Sequence, residues 1–203
     1  MKFPHPTPPD EELMLAYGAG DEEAFVILFK RYNVRIFNYL IRHLGNRARA
    51  EDLLQETFLR VHSHRKSYQP SAAFSTWIFT IATNLLRDSA LAARRQSNVI
   101  EFDEIREQVA VGATVSKSIP IAAEGSAETK YGEKEVAQHI RRAIQSLPSD
   151  QREVILLAKY EGFKYEQIAE ILSITASAAK VRAHRAMKAL EKILKNRLGE
   201  FLA

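Results

Sequence analysis

FKYEQIAEILSITASAAKVRAHRAMKAL, residues 163–190, is the stretch on which the reading of this chain turns. It spells a short helix, a break at Ser173, Ile174 and Thr175, and then a long basic helix. Ile168, Ala169 and Leu172 share one face of the first helix, and Ala169 is small where a second helix must cross closely. The Thr175 hydroxyl is suited to cap the helix that follows. Lys180, His184, Arg185 and Lys188 then lie along one side of that helix at steps of three and four. Two helices on a tight turn, the second with a cationic face, suit the DNA major groove. An ordinary helical hairpin with a solvated charged face has the same local pattern, so the rest of the chain must decide.

The chain has 203 residues, enough for one or two compact domains. Its net charge is only +4, but the charges are unevenly placed. Residues 1–95 carry 13 basic and 10 acidic side chains, residues 96–135 carry 4 and 8, and residues 136–203 carry 12 and 7. Two basic ends around an acidic middle suggest two modules that face a polyanion and a segment that does not. There is no cysteine, which excludes disulfides and thiolate metal sites and fits a reducing compartment. No apolar run approaches the roughly 20 residues that span a bilayer. The start, MKFPHPTPPDEE, has no apolar core and does not read as a secretory signal. A cytoplasmic protein without membrane insertion is expected.

Periodicity predicts helices throughout and no strands. Asp10 opens a short helix ending at Gly18 and Gly20, and Asp21 caps a long one through about Leu44. In that helix Phe25, Leu28, Phe29, Tyr32, Ile36, Phe37, Leu40 and Ile41 recur at helical spacing. Gly45-Asn46 stops it, and a third helix from about Arg49 to His64 turns Leu53, Leu54, Thr57, Phe58 and Val61 inward. The loop RKSYQPSAA precedes a fourth helix from about Phe74 to Arg94. The Gly-, Ala-, Ser- and Pro-rich stretch from Gln96 to about Gly132 reads as a flexible tether, with FDEIREQV a helical candidate inside it. Further helices follow from Glu133, one ending at Leu147-Pro148 and the next capped by Ser149. The expectation is all-α: a flexible start (1–9), a four-helix domain (10–95), a linker (96–132) and a helix-turn-helix domain (133–203).

Three segments in this order resemble the extracytoplasmic-function group of the sigma-70 family, bacterial RNA polymerase sigma factors. AEDLLQETFLRVH resembles the helix that binds core polymerase, and FSTWIFTIATNLLRD the promoter-melting helix. LPSDQREVILLAKYEGFKYEQIAEIL, followed by AAKVRAHRAMKAL, resembles the domain that reads the −35 element. The resemblance covers roughly residues 10–95 and 133–195. It implies that Asp52, Gln55 and Glu56, an acidic and amide stripe beside the apolar face, dock on the clamp helices of core polymerase. Tyr68, Gln69, Ala72, Ala73 and Thr76, with Asn84, Arg87 and Arg94 along the helix, would hold the opened −10 strand and a base taken from its stack. Trp77, Ile78, Phe74 and Ile81 beside them read as core. Lys180, Val181, His184 and Arg185 would face −35 bases, with Arg182 and Lys188 on phosphates. Ser173 stands where the family usually has a glycine, and Ser177-Ala178-Ala179 where it usually has Gly-Thr-Val. Ile144, Leu147, Val154 and Leu157 are expected to be mostly core, with some edge meeting the flap tip of polymerase. An anti-sigma factor is the further partner the group implies.

Nothing points to catalysis or a cofactor: no glycine-rich phosphate loop or metal-ligand set accompanies the carboxylates. His62 and His64 are two apart and diverge on a helix, where a metal pair wants i and i+4. The alternative to a sigma factor is a helix-turn-helix regulator that acts without core polymerase. FSTWIFTIATN argues against it, because a repressor has no need of an aromatic melting helix.

Overall fold

The computed structural model describes residues 8–103 and 127–201. Among them are eight helices and no strand: α1 (Asp10–Gly18), α2 (Glu22–Leu44), α3 (Arg47–His64), α4 (Phe74–Asp103), α5 (Ala127–Gln145), α6 (Ser149–Lys159), α7 (Tyr165–Leu172) and α8 (Ala176–Phe201). The all-α expectation therefore holds among the described residues.

Local chemistry sets most of the ends. The Asp21 carboxylate accepts from the Glu23 and Ala24 amides at 3.0 and 3.3 Å, so α2 starts on a side-chain cap. Gly45 ends α2 in the left-handed region at φ 68°, and its N–H donates to Ile41 O. Asn46 then caps α3 through the Arg49 amide at 3.1 Å. The start of α4 is capped from afar, by Glu11 Oε1 on the Phe74 N–H at 2.8 Å. Thr175 Oγ1 accepts from the Ala178 amide at 3.1 Å, as the sequence predicts for the start of α8. Ser149 is a correction: it is the first residue of α6, and Pro148 holds the cap position without a side-chain bond. The Pro148 carbonyl takes the Gln151 and Arg152 amides instead.

The first body is α1 to α4. Buried Leu28, Tyr32, Ile36 and Leu40 of α2 meet Phe58 and Val61 of α3 and Phe74, Ile78, Phe79 and Leu86 of α4. Each such side chain contributes about 1.5–3 kcal/mol of burial. Tyr39, absent from the predicted stripe, is also buried, its hydroxyl 3.0 Å from Thr83 Oγ1. The second body, α5 to α8, closes around Leu147, Val154, Leu157, Ile168, Leu172 and the small Ala179, Ala183 and Ala186.

Two features differ from the sequence expectation at the tether. Helix α4 continues to Asp103, past Gln96, and α5 begins at Ala127, ahead of Glu133. The rest of that segment, residues 104–126 with most of FDEIREQV, and residues 1–7 of the proline-rich start lie outside the described residues. The bodies also touch. Helix α4 packs on α7, and α2 on α5 and α6, so one apolar cluster runs through both.

Candidate functional site

Three surfaces carry the residues singled out above. On α8, Lys180, Val181, His184, Arg185 and Lys188 are all exposed and share one side, held in place by buried Ala179, Ala183 and Ala186 on the other. Small inward residues let α8 cross α6 and α7 closely, so the cationic row stands out at a fixed height. Arg182 is half-buried, with its Nε 3.6 Å from Asp150. Lys180 lies 4.0 Å from Glu166, an exposed pair of little energetic weight. Lys159 and Lys164 join Lys180 around a shallow depression of about 380 Å³ also lined by Phe163 and Tyr165. The sequence reading passed over those two lysines. Their signal was the lysine at the end of α6 and the one just before α7, which α8 brings together.

The second surface is the loop before α4 and the helix itself. Tyr68 is buried; its hydroxyl donates to Ala72 O at 3.4 Å and its ring meets Trp77 edge-on at 5.1 Å. Burial pushes that hydroxyl up to about 12, and its bond to Ala72 O folds the loop back on the helix. Thr76 is buried too, whereas Gln69 and Ala73 are exposed and Ala72 is half-buried. Tyr68 and Thr76 thus shape the loop from within, and Gln69 and Ala73 form its outer face. Trp77 and Ile81 pack partly buried on the core, as expected. Asn84 is exposed on α4. Arg87 is engaged by the second body: its Nε and Nη2 meet Glu153 Oε1 and Oε2 at 3.1 and 2.7 Å, and Nη1 reaches Leu172 O at 3.3 Å. The bond to Glu153 raises the Arg87 pKa. The side chain of Arg94 lies outside the described residues.

The third surface is on α3. Asp52 and Gln55 are exposed, and Glu56 is half-exposed and pairs with Arg60 at 3.1 Å. Beside the stripe Phe25, Phe29, Leu54, Gln55, Phe58 and Leu59 line an open, mostly apolar depression of about 490 Å³. Phe29 and Leu59 remain 38% and 52% exposed, large for apolar groups that a core would take in. Sequence periodicity assigned Phe29 to the core stripe, because a helical repeat cannot tell the centre of an apolar face from its margin. Ile144, Leu147, Val154 and Leu157 are all buried, so none offers the free edge expected of that group. No cluster of His, Asp or Glu that could hold a metal ion occurs among the described residues, and no described helix is long and apolar enough to cross a membrane.

Comparison with known proteins places both bodies. Residues 28–97 match the family model "Sigma-70 region 2" and residues 137–190 match "Sigma-70, region 4", together more than half of the chain. The RNA polymerase sigma factor CarQ of Myxococcus xanthus is 37% identical over 86% of this chain and 91% of its own length. The ECF RNA polymerase sigma factor SigW of Bacillus subtilis is 33% identical over 87% and 92%. Among solved structures, the sigma factor RpoE in complex with the anti-sigma factor NepR from Bartonella quintana superposes with a TM-score of 0.61 and 25% identity, covering 84% of this chain and 96% of that one. By these matches the chain belongs to the sigma-70 family, as an RNA polymerase sigma factor of the extracytoplasmic-function group.

Proposed function

We propose that this chain is a promoter-specificity subunit, not an enzyme, and that it works in the cytoplasm on core RNA polymerase. Residues 10–95 dock the polymerase and hold the opened −10 strand, residues 133–203 read the −35 element, and residues 96–132 tether the two. Asp52, Gln55 and Glu56 present acid and amide groups to the clamp helices, and the neighbouring apolar depression receives the partner's apolar side chains. Gln69, Ala72, Ala73 and Asn84 line the strand, with Arg87 and Arg94 on its backbone and Tyr68 and Thr76 supporting the loop. Lys180, Val181, His184 and Arg185 face base edges, while Arg182, Lys188, Lys159 and Lys164 hold phosphates. The flap tip of polymerase meets the second body. The observation that carries this reading is the exposed cationic row of α8 on a helix-turn-helix that follows a region-2 body in the same chain.

An anti-sigma factor is a further partner in this reading. Its support is the complex in which the similar RpoE is bound to one. The deciding experiment is run-off transcription with core polymerase on a genomic promoter library. Transcripts that start at defined sites only when this protein is added are expected. Binding to a palindromic site without polymerase, and no transcripts, would instead favour a conventional regulator.

A further inference from the structure

Helix α4 begins directly after the loop given above to the −10 strand, and its own sequence does not cap it. Ala73 O accepts the Trp77 amide at 3.1 Å, which places Ala73 at the cap position, where a methyl offers no acceptor. No acidic residue stands in the first turn of α4. The acceptor comes instead from α1, 63 positions away: Glu11 Oε1 takes the Phe74 N–H at 2.8 Å. A carboxylate there also meets the positive end of the helix dipole. Neighbouring bonds fix where Glu11 stands. Asp10 accepts from Arg31 and from the Tyr32 hydroxyl, both on α2, and Arg31 also donates to Pro8 O at 3.0 Å. The Tyr32 ring meets Phe74 edge-on at 5.1 Å, and the Phe74 ring lies 6.1 Å from that of Tyr68. Buried Leu13, Met14 and Tyr17 seat the rest of α1.

We infer that Glu11 is a positioning residue for promoter reading: it holds the start of α4, and with it Ala72 and Ala73, in the arrangement that meets the opened strand. This role rests on the proposed function of the loop, and Glu11 itself lies ahead of residues 28–97, which match region 2. Taking the cap from α1 has a chemical reason. Serine or aspartate at position 73 could cap α4 locally, but would set a polar or anionic group on the exposed face offered to DNA. The Glu11 carboxylate is half-buried and already engaged by the Phe74 amide. Phe74, Ile78 and Phe79 are fully buried, so α4 keeps its place in the core without that bond. Its loss therefore loosens the loop more than the fold.

Glu11→Ala removes the acceptor, and Glu11→Gln keeps one, since an amide oxygen can take the same N–H. Each full-length variant is joined to core polymerase and assayed by run-off from a promoter recovered from the genomic library. The readout is a ratio: output from the native −10 element over output with one −10 base substituted. In Glu11→Ala that ratio is expected to fall about tenfold, the scale of one lost base discrimination, while the matching ratio for the −35 element holds. Glu11→Gln should recover most of the fall. Glu12→Ala, the same charge change at an exposed neighbour, should leave the ratio unchanged. Equal loss of output on every template, with the −10 ratio kept, would make Glu11 a structural cap only and overturn the positioning role. An equal fall in Glu12→Ala would overturn it too, because charge alone would then explain the effect. Amide hydrogen exchange in the free full-length chain tests the bond apart from transcription. The Phe74 N–H should be protected in the parent and in Glu11→Gln, and open in Glu11→Ala. Free exchange of that amide in the parent overturns the role whatever the stability of the variants. A parent that starts no transcripts while Phe74 stays protected would reject the sigma reading, and the positioning role with it.

Discussion

Ser173 turns the chain between α7 and α8 at φ 54° and ψ 48°, and among the described residues it is the one non-glycine with positive φ. A side chain in that conformation costs roughly 1–2 kcal/mol, and glycine avoids the cost while losing more entropy on folding. Ser173→Gly is therefore expected to stabilise the protein by about 0.5–1 kcal/mol. Urea unfolding should show a higher midpoint at unchanged slope. Ser173→Val should move the midpoint the other way, since a branched β-carbon fits the left-handed region worst. The resemblance had already marked this residue as standing in a glycine's place, and the backbone gives the physical reason for that preference. Sequence could mark the position but not say that the chain keeps the strained geometry with a serine.

On the scale of elements, α3 and α8 present their surfaces in opposite ways. Helix α8 sets a cationic row over a small-residue underside, and its face was legible because charge and Ala179, Ala183 and Ala186 alternate at helical spacing. Lys180→Ala and Arg185→Ala are each expected to cost about 1–3 kcal/mol in −35-dependent initiation if they reach base edges. Run-off from a promoter with a scrambled −35 element should then be insensitive to both. Unchanged output from the native promoter would mean that another face of α8 meets DNA. Helix α3 was legible as a stripe, Asp52, Gln55 and Glu56, but not as the rim of an apolar depression. Phe25 and Phe29 come from α2, and a cross-helix hollow has no signature in either helix alone. Asp52→Ala with Gln55→Ala should abolish pull-down of core polymerase and leave unfolding and DNA binding by α8 intact. Core enzyme retained by that variant would refute the docking assignment.

At the scale of the whole molecule, the chain reads as two bodies in sequence and closes into one apolar cluster in structure. The closure could not be read in advance, because Arg87 and Glu153 are ordinary helix residues 66 positions apart and only the fold brings them together. His43 offers a reporter of that closure. It sits at the end of α2, its carbonyl bound by Arg152, its ring 6.4 Å from Tyr39, and its Nε2 buried without a hydrogen-bond partner. Burial first, then the nearby charges of Arg152 and Arg87, lower its pKa from 6.5 to about 4. The closed protein thus binds fewer protons than the unfolded chain, so the stabilisation is complete above pH 6.5 and is lost as pH falls toward 4. The loss amounts to at most about 3 kcal/mol across that window. Glu161 works in the opposite sense: burial raises its pKa, which favours the closed form as pH falls. Urea unfolding at pH 6.5 and 5 should therefore show a drop in the parent that His43→Phe largely removes. Proton NMR of the His43 ring separates closure from folding. Its titration should lie near 4 in the free parent chain and move back toward 6.5 in Glu153→Gln, which loses the paired Arg87 contact, as water reaches the ring. A ring that already titrates near 6.5 in the free parent chain would mean that the second body does not rest on α2.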